Sequence, residues 1–130
     1  MILLDTYVIF WLLTTAERLS GKARAAILQA RIAGEEMVYS PVSLYEIAYA
    51  THRNRMELNS PIDDFVKAIQ SQLKMTALTA EIVVCAAKLP DSFHGDPMDR
   101  IITATAIVMD CTLITKDEKI REAKLCKVVW

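Results

Sequence analysis

Met1-Ile2-Leu3-Leu4-Asp5-Thr6 is the stretch whose reading decides the fold. Ile2, Leu3 and Leu4 run straight into a carboxylate and a hydroxyl, and residues 7–13 are apolar again. A charge set between two apolar runs is stable only at an edge. The edge that fits is the carboxyl end of a buried strand, where the chain turns into a helix, and in α/β folds ligands bind there. Residues 2–4 are therefore expected to form a short strand. Residues 6–13 are expected to form a helix capped by Asp5 or Thr6.

Outward from this stretch, strand and helix signals alternate. Ala23, Ala26, Ile27, Ala30 and Ile32 make a helical stripe within 20–33, and Gly34 stands where a left-handed C′ residue belongs. Residues 37–40 read as a strand stopped by Pro41, and 42–53 as a helix. Ser60-Pro61-Ile62-Asp63 offers the cap, the proline and the acid of a helix start, and predicts a helix to about residue 73. A third strand is expected at 75–78 and a helix from the cap Thr79 to Lys88. After a loop at 91–95, Asp96-Pro97-Met98-Asp99 opens a helix through Met109. Residues 111–115 predict a fourth strand, Asp117 starts a short helix, and 127–130 a last strand. This alternation predicts an α/β fold: one domain over 1–130, three α/β/α layers, and a mostly parallel sheet of about five strands. Right-handed crossovers would bring every strand's carboxyl end to one edge, with Asp5 and Asp117 on it.

The chain has 130 residues, a single domain by length, and buries roughly two-thirds of its unfolded surface on folding. Its apolar fraction is 53%, enough for a filled core and an apolar face left over for a partner. Fifteen basic residues (Lys+Arg) oppose 16 acidic ones, so net charge neither argues for nucleic-acid binding nor excludes it. Cys85, Cys111 and Cys126 form no CxxC spacing and read as reduced core thiols. The apolar start lacks a basic n-region, and Asp5 interrupts it, so it is not read as a signal peptide. No apolar run reaches the length of a membrane span. The expectation is a cytoplasmic protein.

Four acids stand out against this background. Asp5 follows the first strand. Glu46 lies in an otherwise apolar helix, where a wet helix face is the bland explanation. Asp96 is accounted for as an N-cap, but Asp99, three residues on, only partly so. Asp117 follows the fourth strand, where capping is again the simpler account. If Asp5, Glu46, Asp99 and Asp117 meet at the sheet edge, they need a cation. Two carboxylates about 4 Å apart repel by about 4 kcal/mol at an effective dielectric of about 20. Oxygen-only ligands favour Mg²⁺ or Mn²⁺ over zinc, and such a site activates water against a phosphodiester. Thr6 and Thr115 carry hydroxyls beside these acids and could orient a carboxylate, and Arg100 could touch a phosphate. His94 and His52 are read as ordinary histidines. Tyr7, Phe10 and Trp11 are read as core or dimer contacts rather than base-stacking groups.

The ordered set Leu3-Leu4-Asp5-Thr6, Ser43-Leu44-Tyr45-Glu46-Ile47, His94-Gly95-Asp96-Pro97-Met98-Asp99-Arg100 and Leu113-Ile114-Thr115-Lys116-Asp117 resembles the PIN-domain family. Within it, the chain resembles the VapC-type toxins of toxin–antitoxin pairs, over nearly its whole length. The resemblance implies a Mg²⁺-dependent ribonuclease that cuts structured RNA such as tRNA, a homodimer, and neutralisation by a small antitoxin. It implies Asp5, Glu46, Asp99 and Asp117 as metal-binding acids, with Asp96 auxiliary. Met98 stands where many relatives carry an aromatic.

Two other functions compete. A phosphotransfer domain of receiver or phosphatase type would also have an acidic α/β edge. However, the phosphatase pattern Asp-x-Asp-x-Thr is absent, because Thr6-Tyr7-Val8 follows Asp5. The other is a non-catalytic module of the same fold, which four retained acids argue against.

Overall fold

A computed structural model describes all 130 residues. Five strands form one sheet: β1 (Ile2–Leu4), β2 (Met37–Tyr39), β3 (Lys74–Met75), β4 (Thr112–Ile114) and β5 (Val128–Val129). Their order is β3-β2-β1-β4-β5 and every pairing is parallel. The helices are α1 (Thr6–Thr14), α2 (Gly21–Ala33), α3 (Pro41–His52), α4 (Ile62–Gln72), α5 (Ala80–Lys88), α6 (Pro97–Val108) and α7 (Glu118–Ala123), with one 3₁₀ turn at Ala16–Arg18.

The three layers follow from the period of two along each strand. Ile2, Leu4, Met37, Tyr39 and Ile114 point to one face, where Val8 and Ile9 of α1, Ile27 of α2, Ile47 of α3 and Phe65 and Ile69 of α4 cover them. Leu3, Val38 and Leu113 point to the other face, against Ile102 and Ala106 of α6 and Ile120 of α7. Strands buried on both faces need no polar alternation, so β1 reads as an unbroken apolar run. The cysteines are free thiols, with Cys111 buried and Cys85 and Cys126 half-buried. Burial pushes the Cys126 thiol up to about 11.

The expected α/β/α fold is present, with local differences. Ser60 does not cap α4; Pro61 takes the N-cap position with ψ 149°, and no side chain caps the helix. The amides of Asp64 and Phe65 bond instead to the Pro61 carbonyl. β3 lies one residue earlier than expected and is only 2 residues long. It is an edge strand paired on one side only, and just past it the Thr76 amide still bonds to the Tyr39 carbonyl of β2 at 2.9 Å. Gly34 is left-handed as expected, with φ 67°. No helix is long and apolar enough to cross a membrane.

The strand order reverses at β1. From it the chain steps to β2 and β3 on one side and to β4 and β5 on the other. The carboxyl ends of β1 and β4 thus flank a topological switch point, where adjacent crossovers diverge and leave a crevice.

Candidate active site

Asp5 is the first residue past β1, and its backbone amide still bonds to the Ile114 carbonyl of β4 at 3.1 Å. It is only 8% exposed and is the N-cap of α1. Its Oδ1 accepts from the Thr6 amide at 2.7 Å, and its Oδ2 accepts from the Thr115 hydroxyl at 2.5 Å. Thr115 Oγ1 in turn accepts from the Asp117 amide at 3.0 Å. On the other side, the Thr6 hydroxyl donates to Glu46 Oε1 at 2.6 Å. One hydrogen-bonded chain therefore runs from Glu46 through Thr6, Asp5 and Thr115 to the backbone of Asp117.

The physical point of that chain is the type of donor. Hydroxyls and amides orient carboxylates without cancelling their charge. No lysine or arginine forms an ion pair with Asp5, Glu46, Asp96, Asp99 or Asp117. These five acids line a single cleft of about 670 Å³, with Thr6, Tyr7, Trp11, Lys116, Glu118, Arg121 and Trp130.

Asp96 caps α6, its Oδ1 accepting from the amides of Met98 at 2.9 Å and Asp99 at 3.2 Å. That cap turns the first helical turn so that Asp99 faces the cleft. Asp117 caps α7 through the Ile120 amide at 2.8 Å and also lines the cleft. Capping and site placement are thus compatible, and the bland account of these acids was incomplete rather than wrong.

The carboxylates repel one another. Burial chiefly, then the charges of Asp5, Asp96, Asp117 and Glu46, push the Asp99 carboxyl up to about 8. Burial also raises Asp5, opposed by the bonds from Thr115 and Thr6 and reinforced by Asp117. Glu46 is raised by burial, opposed by the Thr6 hydroxyl and reinforced by Asp5 and Asp96. A divalent cation would relieve all of these at once. The donors are all oxygens, which suits Mg²⁺ or Mn²⁺. No three of the side chains form a group that could hold a metal ion as they stand; the four acids expected around one ion share the lining of a cleft. Mg²⁺ keeps several waters and takes one or two carboxylates, which an open arrangement of this kind can supply.

Arg100 has a different place from the one expected. Its guanidinium donates to the carbonyls of Ala86 (3.1 Å), Leu89 (2.8 Å), Phe93 (3.2 Å) and His94 (3.4 Å). It is absent from the cleft lining, and these bonds occupy the donors a phosphate would need. It staples the end of α5 and the loop after it to the start of α6. Arg100→Lys is expected to lower stability by about 2–3 kcal/mol, because one ammonium cannot serve four diverging carbonyls. Thermal unfolding should show a Tm lower by about 10 °C, and an unchanged Tm would remove the staple from this account.

Several side chains at or beside the cleft were not chosen as site residues from the sequence. His94 Nε2 lies 3.3 Å from Asp99 Oδ2, without the alignment of a hydrogen bond. Tyr7, Trp11, Lys116, Glu118 and Arg121 lie one to six residues from a chosen acid, and Trp130 lies just past β5; that adjacency was the available clue.

A parallel sheet whose switch point carries unpaired carboxylates is a recognisable class, and the PIN-domain profile matches residues 2–125. The chain belongs to the PIN-domain family. The ribonuclease VapC22 of Mycobacterium tuberculosis is 33% identical over 120 residues, 92% of this chain and 89% of that protein, which bears out the likeness to VapC-type members. Among solved structures, the VapBC2 complex of Rickettsia felis bound to a promoter DNA fragment aligns with a TM-score of 0.76 and 16% identity, covering 100% of this chain and 99% of that one. VapBC-1 of nontypeable Haemophilus influenzae aligns with a TM-score of 0.68 and 17% identity, over 99% and 97% of the two chains. At such identities these structures speak for the fold.

Proposed function

We propose that the protein is a divalent-metal-dependent endoribonuclease, the toxin of a toxin–antitoxin pair, acting on tRNA or another structured RNA. The observation that carries this reading is the convergence of Asp5, Glu46, Asp99 and Asp117 on one cleft with no lysine or arginine paired to them. The name of the ribonuclease relative and the toxin–antitoxin complexes among the structural neighbours support it.

When bound, Mg²⁺ or Mn²⁺ would supply an activated water and neutralise charge on the phosphate. Asp5, Glu46, Asp99 and Asp117 would hold it, with Asp96 shaping the turn that aims Asp99. Thr115 and Thr6 keep Asp5 and Glu46 in fixed rotamers, so their oxygens stay pointed at the cleft. Lys116 and Arg121 are the basic side chains on the cleft wall and would take the RNA backbone. A homodimer and a small antitoxin are the proposed partners. Exposed apolar side chains support a protein partner: Leu28 and Ile32 on α2, Tyr45 and Tyr49 on α3, and Val83 and Val84 on α5.

The test is cleavage of total RNA by purified protein in Mg²⁺, with the new ends mapped and Asp5→Ala prepared alongside. Cleavage should vanish in EDTA, return with Mg²⁺ or Mn²⁺, and be absent from Asp5→Ala. Equal cleavage by both proteins would mean a contaminant and end the reading.

A further inference from the structure

Beside its carboxylates, the cleft is lined by the aromatic side chains Tyr7, Trp11 and Trp130 and the basic ones Lys116 and Arg121. Tyr7 and Trp11 are four residues apart on α1 and share a face, with ring centroids 5.4 Å apart and tilted by 44°. Trp130, just past β5, lies 6.0 Å from Trp11. Trp11 is a support: it is 6% exposed, with Lys116 Nζ 5.2 Å and the Arg18 guanidinium 5.9 Å from its ring. Tyr7 is 53% exposed and Trp130 is half-buried, and both face the cleft. A tyrosine so exposed contributes little to the core, so its position beside Asp5 and Thr6 needs another explanation.

An exposed aromatic ring beside a phosphodiester site offers a π-face to a nucleobase. Paired bases in an RNA helix already stack on their neighbours and cannot use it; a splayed, unpaired base can. Resting on the ribonuclease reading, we propose that Tyr7 and Trp130 form a stacking platform for an unpaired base next to the scissile phosphate. Lys116, held over Trp11 at the same wall, takes the adjoining phosphate. The platform makes single-stranded or looped RNA the substrate and excludes duplex.

The test uses the full chain and a short RNA carrying the mapped cut, single-stranded or annealed to its complement. Binding is read separately, in EDTA, from quenching of 2-aminopurine placed beside the cut. Tyr7→Ala is expected to raise KM about tenfold with kcat changed less than about twofold, and to lose the quenching, as is Trp130→Leu. Tyr7→Phe should restore the wild-type KM, because it keeps the ring. The duplex should be cut at less than about a tenth of the single-strand rate. An unchanged KM in Tyr7→Ala, a Tyr7→Phe as weak as Tyr7→Ala, or equal cutting of duplex would each overturn the platform. Should no RNA be cut at all, quenching of 2-aminopurine in an unpaired oligonucleotide, lost in Tyr7→Ala, would overturn the ribonuclease reading alone. Cleavage without quenching would overturn the platform alone.

Discussion

Asp99→Asn is expected to abolish RNA cleavage, by about a thousandfold or more, and at the same time to raise the Tm of the metal-free protein. The two effects have one cause. Asp99 is half-buried; burial first, and then the charges of Asp5, Asp96, Asp117 and Glu46, push its carboxyl up to about 8. Without a cation, folding forces this group either to take up a proton or to hold a charge beside like charges. Asparagine keeps the shape and removes that cost. Because Asp99 is partly open to solvent, the gain is discounted to on the order of 1–2 kcal/mol, a Tm rise of several degrees. An acid that served only the first turn of α6 would behave in the opposite way, losing about 0.5 kcal/mol of helix-dipole stabilisation. A variant that is inactive and less stable than wild type would count against the like-charge account. A fully active variant would remove Asp99 from the site.

The second large effect is a reversal of the pH dependence of stability by metal. Asp99 has its ordinary value near 3.8 in the unfolded chain and about 8 in the folded one. The folded state therefore binds the extra proton between those values. Stability is fully present below about pH 4 and is lost as pH rises through about 8. Asp5 and Glu46, also raised, add to the same slope. The metal-free protein should accordingly have a higher Tm at pH 5.5 than at pH 8. A divalent cation binds the deprotonated acids and competes with the protons. At about 100 times its dissociation constant, it stabilises by about 2.7 kcal/mol. Millimolar Mg²⁺ or Mn²⁺ should thus raise the Tm by about 10 °C at pH 8 and much less at pH 5.5. A Tm shift independent of pH, or undiminished in Asp5→Ala, would argue that the ion binds elsewhere.

Much of this site could be read from the chain because the acids interrupt apolar patterns. Asp5 follows Leu4, and Asp117 lies three residues past Ile114; a parallel sheet sends both strand ends to one edge. Glu46 was the open question, since a helix with apolar residues on most sides has no clear wet face. The Thr6 hydroxyl settles its direction. Arg100 could not be placed from sequence. Its role depends on where the carbonyls of Ala86 and Leu89 end up, and that depends on where α5 stops. The aromatic wall was hidden for a related reason. Residues 7–13 of α1 are all apolar, so periodicity could not separate the exposed Tyr7 from the buried Trp11 four positions later. The open arrangement of the carboxylates was equally out of reach. Spacing names the donors but does not fix how far apart their oxygens stand.

The bond from Thr115 to Asp5 joins residues 110 positions apart. β1 lies between β2 and β4, and Asp5 gets the second of its two carboxylate donors only when β4 has docked. Contacts so distant in sequence form late in folding. A chain still being synthesised therefore carries Asp5, Glu46 and Asp99 before it carries Thr115 and Asp117, and has no finished cleft. For a protein proposed to destroy the RNA around it, the topology itself delays activity until β4 has been made and has docked beside β1.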